Sequence, residues 1–140
     1  VLWIDGDALK KIIPTNGKHD RASRIERYKK MIHIVKFFYD QKINVIISTL
    51  YFNSFIFKNN KKIFKNYFQI YLKADIARLI KRDSRKIYSK NINKKRPFLV
   101  GVDIKWDEPK KSNLIISNFF DKDINTIKKK ILLKINNKIF

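Results

Sequence analysis

The chain has 140 residues, with 33 Lys or Arg against 12 Asp or Glu, a net charge of +21, and 44% hydrophobic content. That length and apolar share suit one domain with a real core and exclude wholesale disorder, while the absence of cysteine excludes a disulfide framework, a thiolate metal site and a cysteine nucleophile. No apolar run reaches the roughly 18 residues of a membrane span and the start lacks a signal-peptide pattern, so the expectation is a cytoplasmic protein with no membrane partner. The charge invites a nucleic-acid reading. Yet the lysines are spread among Ile, Asn and Phe along the whole chain, with local clusters only at Lys58 to Lys65 and Lys128 to Lys130. This predicts non-specific polyanion binding rather than a shaped basic face.

In chain order, Val1 to Ile4 is an unbroken apolar run, as expected of a parallel strand covered on both faces. It ends in Asp5-Gly6-Asp7, where Gly6 permits a tight turn and the two carboxylates stand at the sheet edge that binds ligands in open α/β folds. The competing assignment makes Asp7 the cap of a helix over Ala8–Ile13, stopped by Pro14 and the turn Thr15-Asn16-Gly17. Ile25, Tyr28, Ile32, Val35 and Phe38 recur at helical spacing, predicting one long amphipathic helix from Arg21 to about Gln41 with Asp20 as N-cap. A second buried strand follows at Ile43–Thr49, a loop at Leu50–Ser54, and a helix at Phe55–Phe64 with a lysine-rich outer face. A third strand is expected at Tyr67–Leu72, and a helix at Asp75–Arg82 capped by Asp75. The stretch Asp83–Gly101 is irregular and basic and reads as a mobile lid. A strand at Asn113–Ser117 and a helix from about Asp121 to Ile135 complete the chain. Strands alternating with helices, without hairpin signals, predict a three-layer α/β/α sandwich around a mostly parallel sheet. The whole chain, 1–140, is expected to form a single domain, with the lid at about 83–110.

Four stretches together resemble the adenylylsulphate (APS) kinase family of P-loop kinases. They are Asp5-Gly6-Asp7; the Asp20-Arg21 pair with Arg27 further along the helix; Arg82-Asp83-Ser84-Arg85-Lys86-Ile87-Tyr88, similar to R-D-P-K-G-L-Y; and Gly101-Val102-Asp103 with Trp106, Glu108 and Pro109, similar to G-I-D-x-P-Y-E-x-P. The resemblance implies transfer of the ATP γ-phosphate, with Mg²⁺, to the 3′-hydroxyl of adenylylsulphate or of a related nucleotide- or sugar-linked acceptor. It also allows a possible homodimer. It implies Asp7 as the carboxylate at the acceptor hydroxyl, Lys10, Arg21 and Arg24 as acceptor-binding residues, and Arg82, Arg85, Lys95 and Arg96 as lid cations near ATP. No metal-ligating residue is assigned.

The chain departs from the pattern at several places. No glycine begins G-x-x-x-x-G-K-[ST], the loop that cradles phosphates. Gly17-Lys18 is the one Gly-Lys pair, and His19 follows it. In the family that loop lies just before the strand ending Asp-Gly-Asp, so the expectation is a fragment or a naturally shortened member, inactive as it stands, with an unfilled place in the sheet that exposes Ile4 and Ile46. On the acceptor side Asn16 replaces a phenylalanine, Arg24 an asparagine, Lys10 an arginine and Phe52-Asn53 a serine-proline; in the lid Pro97-Phe98 replaces a lysine-asparagine, leaving Lys95 and Arg96 as the nearest cations. Two further readings stand beside the kinase: a catalytically dead relative kept as a binding module, and a basic nucleic-acid-binding domain. The last requires exposed aromatics among cations, whereas the strand aromatics lie in runs expected to be buried.

Overall fold

The computed structural model describes residues 1–13, 19–50, 53–84, 86–92, 98–118 and 123–139. The predicted turn at 14–17, with Lys18, lies outside them. Two compact units emerge: Val1–Ile63 with Pro97–Glu108, and Phe64–Arg96 with Pro109–Phe140.

In the first unit β1 (Leu2–Asp5) pairs in parallel with β2 (Val45–Ser48), in register from Leu2 opposite Val45 to Asp5 opposite Ser48. Between them run α1 (Gly6–Leu9) and α2 (Arg21–Asp40), and α3 (Ser54–Ile63) follows β2. Helix α2 starts where its cap dictates, with the Asp20 carboxylate accepting from the Ser23 N–H at 2.8 Å. Its buried side chains Tyr28, Met31, Ile32 and Val35 recur at three- and four-residue steps, the stripe that an amphipathic helix turns to a core. Ile4, Ile13 and Ile56 are buried in the same unit. The Tyr28 hydroxyl is buried too, donating to Asn60 Oδ1 and accepting from Asn59 Nδ2, so this polar group costs little inside the core.

The strands are not covered on both faces, as their apolar runs predict. Successive side chains of a strand point to opposite faces. Ile4 is buried, but Trp3 is 66% exposed and its cross-strand partner Ile46 is 58% exposed. The expected exposure of Ile46 is therefore found, while that of Ile4 is not: Ile4 belongs to the covered face. The burial predicted for strand aromatics also fails at Trp3. Its indole N–H donates to Ser48 Oγ at 3.2 Å, and Ile46 is its cross-strand partner.

In the second unit β3 (Ile70–Lys73) pairs in parallel with β4 (Leu114–Ser117), accompanied by α4 (Ile76–Lys81), α5 (Ile87–Ile92) and α6 (Ile124–Ile139). Strand β3 begins three residues later than predicted. Asn113 Oδ1 accepts from the Gln69 N–H and the Gln69 carbonyl accepts from the Leu114 N–H, so the ladder opens at Ile70 and leaves Tyr67 and Phe68 outside. Asp75 caps α4 as predicted. Helix α6 starts after Asp123, whose carboxylate accepts from the Asn125 N–H, and extends past the predicted end at Ile135. Among the described residues the strands form two parallel pairs, β1–β2 and β3–β4, rather than one hydrogen-bonded sheet. No helix among them is long and apolar enough to cross a membrane.

Gly6 is required by space. A Cβ there would lie 2.9 Å from the Ser48 carbonyl oxygen, a backbone atom that cannot swing aside. Gly6→Ala should therefore force the ends of β1 and β2 apart and lower stability by about 1–3 kcal/mol, the scale of overpacking. A denaturant midpoint equal to that of the unmodified protein would show that the turn has slack.

Candidate active site

The carboxyl edge of β1–β2 gathers three of the residues predicted to serve the acceptor, Asp7, Lys10 and Arg24. Asp5, in extended conformation, is the N-cap of α1, its carboxylate accepting from the Asp7 N–H at 2.8 Å. This corrects the assignment of the cap to Asp7, because the helix begins two residues earlier than the pattern suggested. Asp7 instead stands in the first turn with its side chain 68% exposed, and Lys10 Nζ lies 2.5 Å from its Oδ1. At this exposure the ion pair adds little stability. Its effect is to hold the carboxylate's orientation at the mouth of the site.

A cleft of about 270 Å³ opens here, lined by Asp5, Asp7 and Lys10 from the turn, Arg24 and Arg27 from α2, and Ser48 and Thr49 from the end of β2. The structure thus brings Asp7, Lys10 and Arg24 together. Arg24 also acts as a brace, its Nε donating to the His19 carbonyl at 2.8 Å and its Nη2 to the Phe98 carbonyl at 3.2 Å. Phe98 has φ of 78°, a left-handed conformation costing about 1–3 kcal/mol in a non-glycine residue unless surrounding bonds hold it. The Gly-Val-Asp stretch that follows has a structural explanation. Gly101 has φ of 88°, and Asp103 Oδ2 accepts from the Leu99 N–H at 2.9 Å, closing the turn.

Arg21 does not line this cleft. It is the exposed first residue of α2. Asp107 Oδ2 accepts from the Ser54 N–H at 2.9 Å at the start of α3. That bond and the Ser54 hydroxyl hold the Asp107 carboxyl below its ordinary value, with Arg21's charge a smaller contribution in the same direction. Asn53, which replaces a family proline, caps the same helix, its Oδ1 accepting from the Ile56 N–H at 2.9 Å. The adjoining Phe52 lies outside the described residues.

In the second unit, Arg82 is the C-cap of α4 and lines a wide-open depression of about 490 Å³ with Lys81, Asp83, Ser84 and Ser89. The predicted irregular stretch contains α5, and Asp83 explains why. Its carboxylate accepts from the N–H groups of Ile87 at 2.6 Å, Tyr88 at 2.9 Å and Ser89 at 3.0 Å, satisfying donors that a helix start leaves unpaired. Desolvation pushes the Asp83 carboxyl up, but these N–H groups and the Ser89 hydroxyl outweigh it and leave the net shift downward. Burial, and then the charge of Asp83, push the Tyr88 phenol up. Arg85, Lys95 and Arg96 lie outside the described residues. Among the described residues no three His, Asp or Glu side chains cluster as metal ligands would.

The family model for adenylylsulphate kinase matches residues 1–117. The chain belongs to the adenylylsulphate kinase family. Relatives include the cytidine diphosphoramidate kinase of Campylobacter jejuni, 37% identical over 118 residues, covering 84% of this chain and 68% of that protein. The adenylyl-sulfate kinase of Bacillus licheniformis is 24% identical over 122 residues, covering 83% of this chain and 60% of that protein. The structure of the Mycobacterium tuberculosis APS kinase CysC in complex with AMPPNP and APS matches with a TM-score of 0.85 at 16% identity, covering 96% of this chain and 79% of that one. The expected α/β fold of a P-loop kinase is therefore the observed one, and the chain's relatives are phosphotransferases.

The Asp83 turn yields a pH prediction. A carboxyl whose folded-state pKa lies below the ordinary 3.8 contributes stability that is complete above that value and is lost as pH falls through the folded-state value. Asp83→Ala should abolish this acid-range dependence. It should also speed amide exchange at Ile87, Tyr88 and Ser89 roughly tenfold at neutral pH, the scale of losing a helix cap. Exchange measured by NMR that is unchanged in the variant would remove Asp83 from this role.

Proposed function

We propose that this chain handles the acceptor in phosphoryl transfer from ATP to a hydroxyl of a nucleotide-linked compound, an acceptor of the cytidine diphosphoramidate kind rather than adenylylsulphate. The observation that carries this reading is the 37% identity to the cytidine diphosphoramidate kinase, against 24–25% to three adenylyl-sulfate kinases. The replacements on the acceptor side point the same way. Asn16 stands where the family stacks a phenylalanine on adenine, and Arg24, which lines the cleft, stands where the family has asparagine.

In this reading Asp7 orients the acceptor hydroxyl and takes its proton as the phosphoryl group arrives, and Lys10 fixes the carboxylate in place. Arg24 and Lys10 supply positive charge for the acceptor's phosphate oxygens, Arg24 through a planar guanidinium fork and Lys10 through a compact ammonium. Phosphoryl transfer asks a protein chiefly for such positioning and charge stabilisation. The family's donor is ATP with Mg²⁺. The 140 residues contain no G-x-x-x-x-G-K-[ST] to cradle phosphates, and among the described residues no cluster of three His, Asp or Glu side chains stands to hold the metal. Arg82 is the described cation proposed to serve the ATP side.

The acceptor test is a titration of the protein with cytidine 5′-diphosphate and with adenylylsulphate at 0.15 M salt. The cytidine compound should bind at least about tenfold more tightly, a difference of about 1.4 kcal/mol. Tighter binding of adenylylsulphate would overturn the assignment. With no phosphate cradle, MgATP should bind these 140 residues only weakly and lose affinity steeply as salt rises, which calorimetry at two ionic strengths checks. In any form of the protein that turns over, Asp7→Asn should lower kcat by roughly 10²–10⁴-fold with the fold intact, the scale of losing a positioned base. An unchanged kcat would reduce Asp7 to a helix-surface residue.

A further inference from the structure

Arg27 lies in the wall of the acceptor cleft, three residues along α2 from Arg24, so the two side chains are neighbours on one helix face. Its Nε is buried and has no hydrogen-bond partner, and among the described residues the Arg27 side chain makes no hydrogen bond or ion pair. The carboxylates that share the cleft are engaged elsewhere: Asp5 Oδ1 by the Asp7 N–H, and Asp7 Oδ1 by Lys10. A guanidinium carries five N–H donors and cannot shed its charge; in half-buried Arg27 the Nε–H is the one buried without an acceptor, which is costly, while the side chain borders the cleft. A fold keeps such an arrangement where an outside group supplies the acceptor atoms.

We propose that Arg27 is a further acceptor-binding residue, which together with Arg24 grips the diphosphate-level anion of the nucleotide acceptor. The inference rests on the acceptor reading of this cleft. Two guanidinium groups one helical turn apart match adjacent phosphoryl groups better than a single one, since each fork can meet two oxygens. The Arg24 plane is already set by the carbonyls of His19 and Phe98. The cleft's 270 Å³ falls just below the range of ligand pockets, which run from roughly 300 to 1,000 Å³, so it takes part of a nucleotide. The strongest donors on its α2 wall are the two arginines, which assigns that part to the phosphates.

The test is calorimetric titration of the protein and its variants with cytidine 5′-diphosphate and with cytidine at 0.15 M salt, alongside thermal unfolding. Arg27→Met should weaken diphosphate binding at least tenfold and leave cytidine binding unchanged. Because it removes a buried N–H that has no acceptor, it should leave the unfolding midpoint unchanged or raised. Arg27→Lys, which keeps charge but not the fork, should recover part of the affinity. Lys29→Gln, an exposed charge removed from elsewhere on the same helix, should bind as the unmodified protein does. If the unmodified protein binds the diphosphate and Arg27→Met binds it equally well, the role of Arg27 is overturned while the acceptor reading stands. An equal loss in Lys29→Gln would mean bulk charge alone and would also overturn it, as would a lowered midpoint in Arg27→Met accompanied by lost cytidine binding. An unmodified protein that fails to bind the diphosphate overturns both.

Discussion

The close approach of the β1–α1 turn to the end of β2 governs the first unit. Because Gly6 has no Cβ, its backbone can pass against the Ser48 carbonyl, and this contact decides where β1 ends and where α1 begins. It brings Asp5, Asp7, Ser48 and Thr49 to one edge, with Lys10 a turn further on. Parallel strands deliver their carboxyl ends to the same side, so pairing β1 with β2 in register is sufficient to assemble the floor of a site from residues over forty positions apart. Helix α2 then supplies the wall, because the stripe that buries Tyr28 and Met31 carries Arg24 and Arg27 along its border.

Charge has two separate meanings in this protein. The excess of lysine over the whole chain is a long-range field, screened within about 10 Å at ordinary ionic strength. The cations of the cleft at the β1–β2 edge are different in kind, because carbonyls orient Arg24 and burial holds the Nε of Arg27 away from water. Only the second kind can distinguish one anion from another. The acidic residues, few as they are, are mostly spent on the backbone. Asp5, Asp20, Asp75, Asp83, Asp103, Asp107 and Asp123 each accept from main-chain N–H groups at a helix start or a tight turn.

A chain with so few carboxylates and this much local capping reads clearly at helix starts. Asp20 and Asp75 were legible as caps because each precedes a helical pattern with nothing to compete. The first turn was not, since Asp5 and Asp7 are both capping residues and only the approach of Ser48 decides between them. Asp83 was hidden for another reason: it serves a helix four residues downstream, across Arg85 and Lys86, and no short-range rule links them.

The strand, helix, strand order, the long α2 with its cap, the family and the carboxylates at the β1 edge were all determined by the sequence alone, through periodicity, capping residues and motif spacing. Burial was not. An apolar run specifies a strand but not how many of its faces will be covered, and the difference between Ile4 and Trp3, adjacent in sequence, is a property of what packs on each face. Nor could the sequence separate Arg21 from Arg24 and Arg27 as cleft residues. All three lie on one helix, and only the placement of that helix against the β1–β2 edge decides which of them border the cleft.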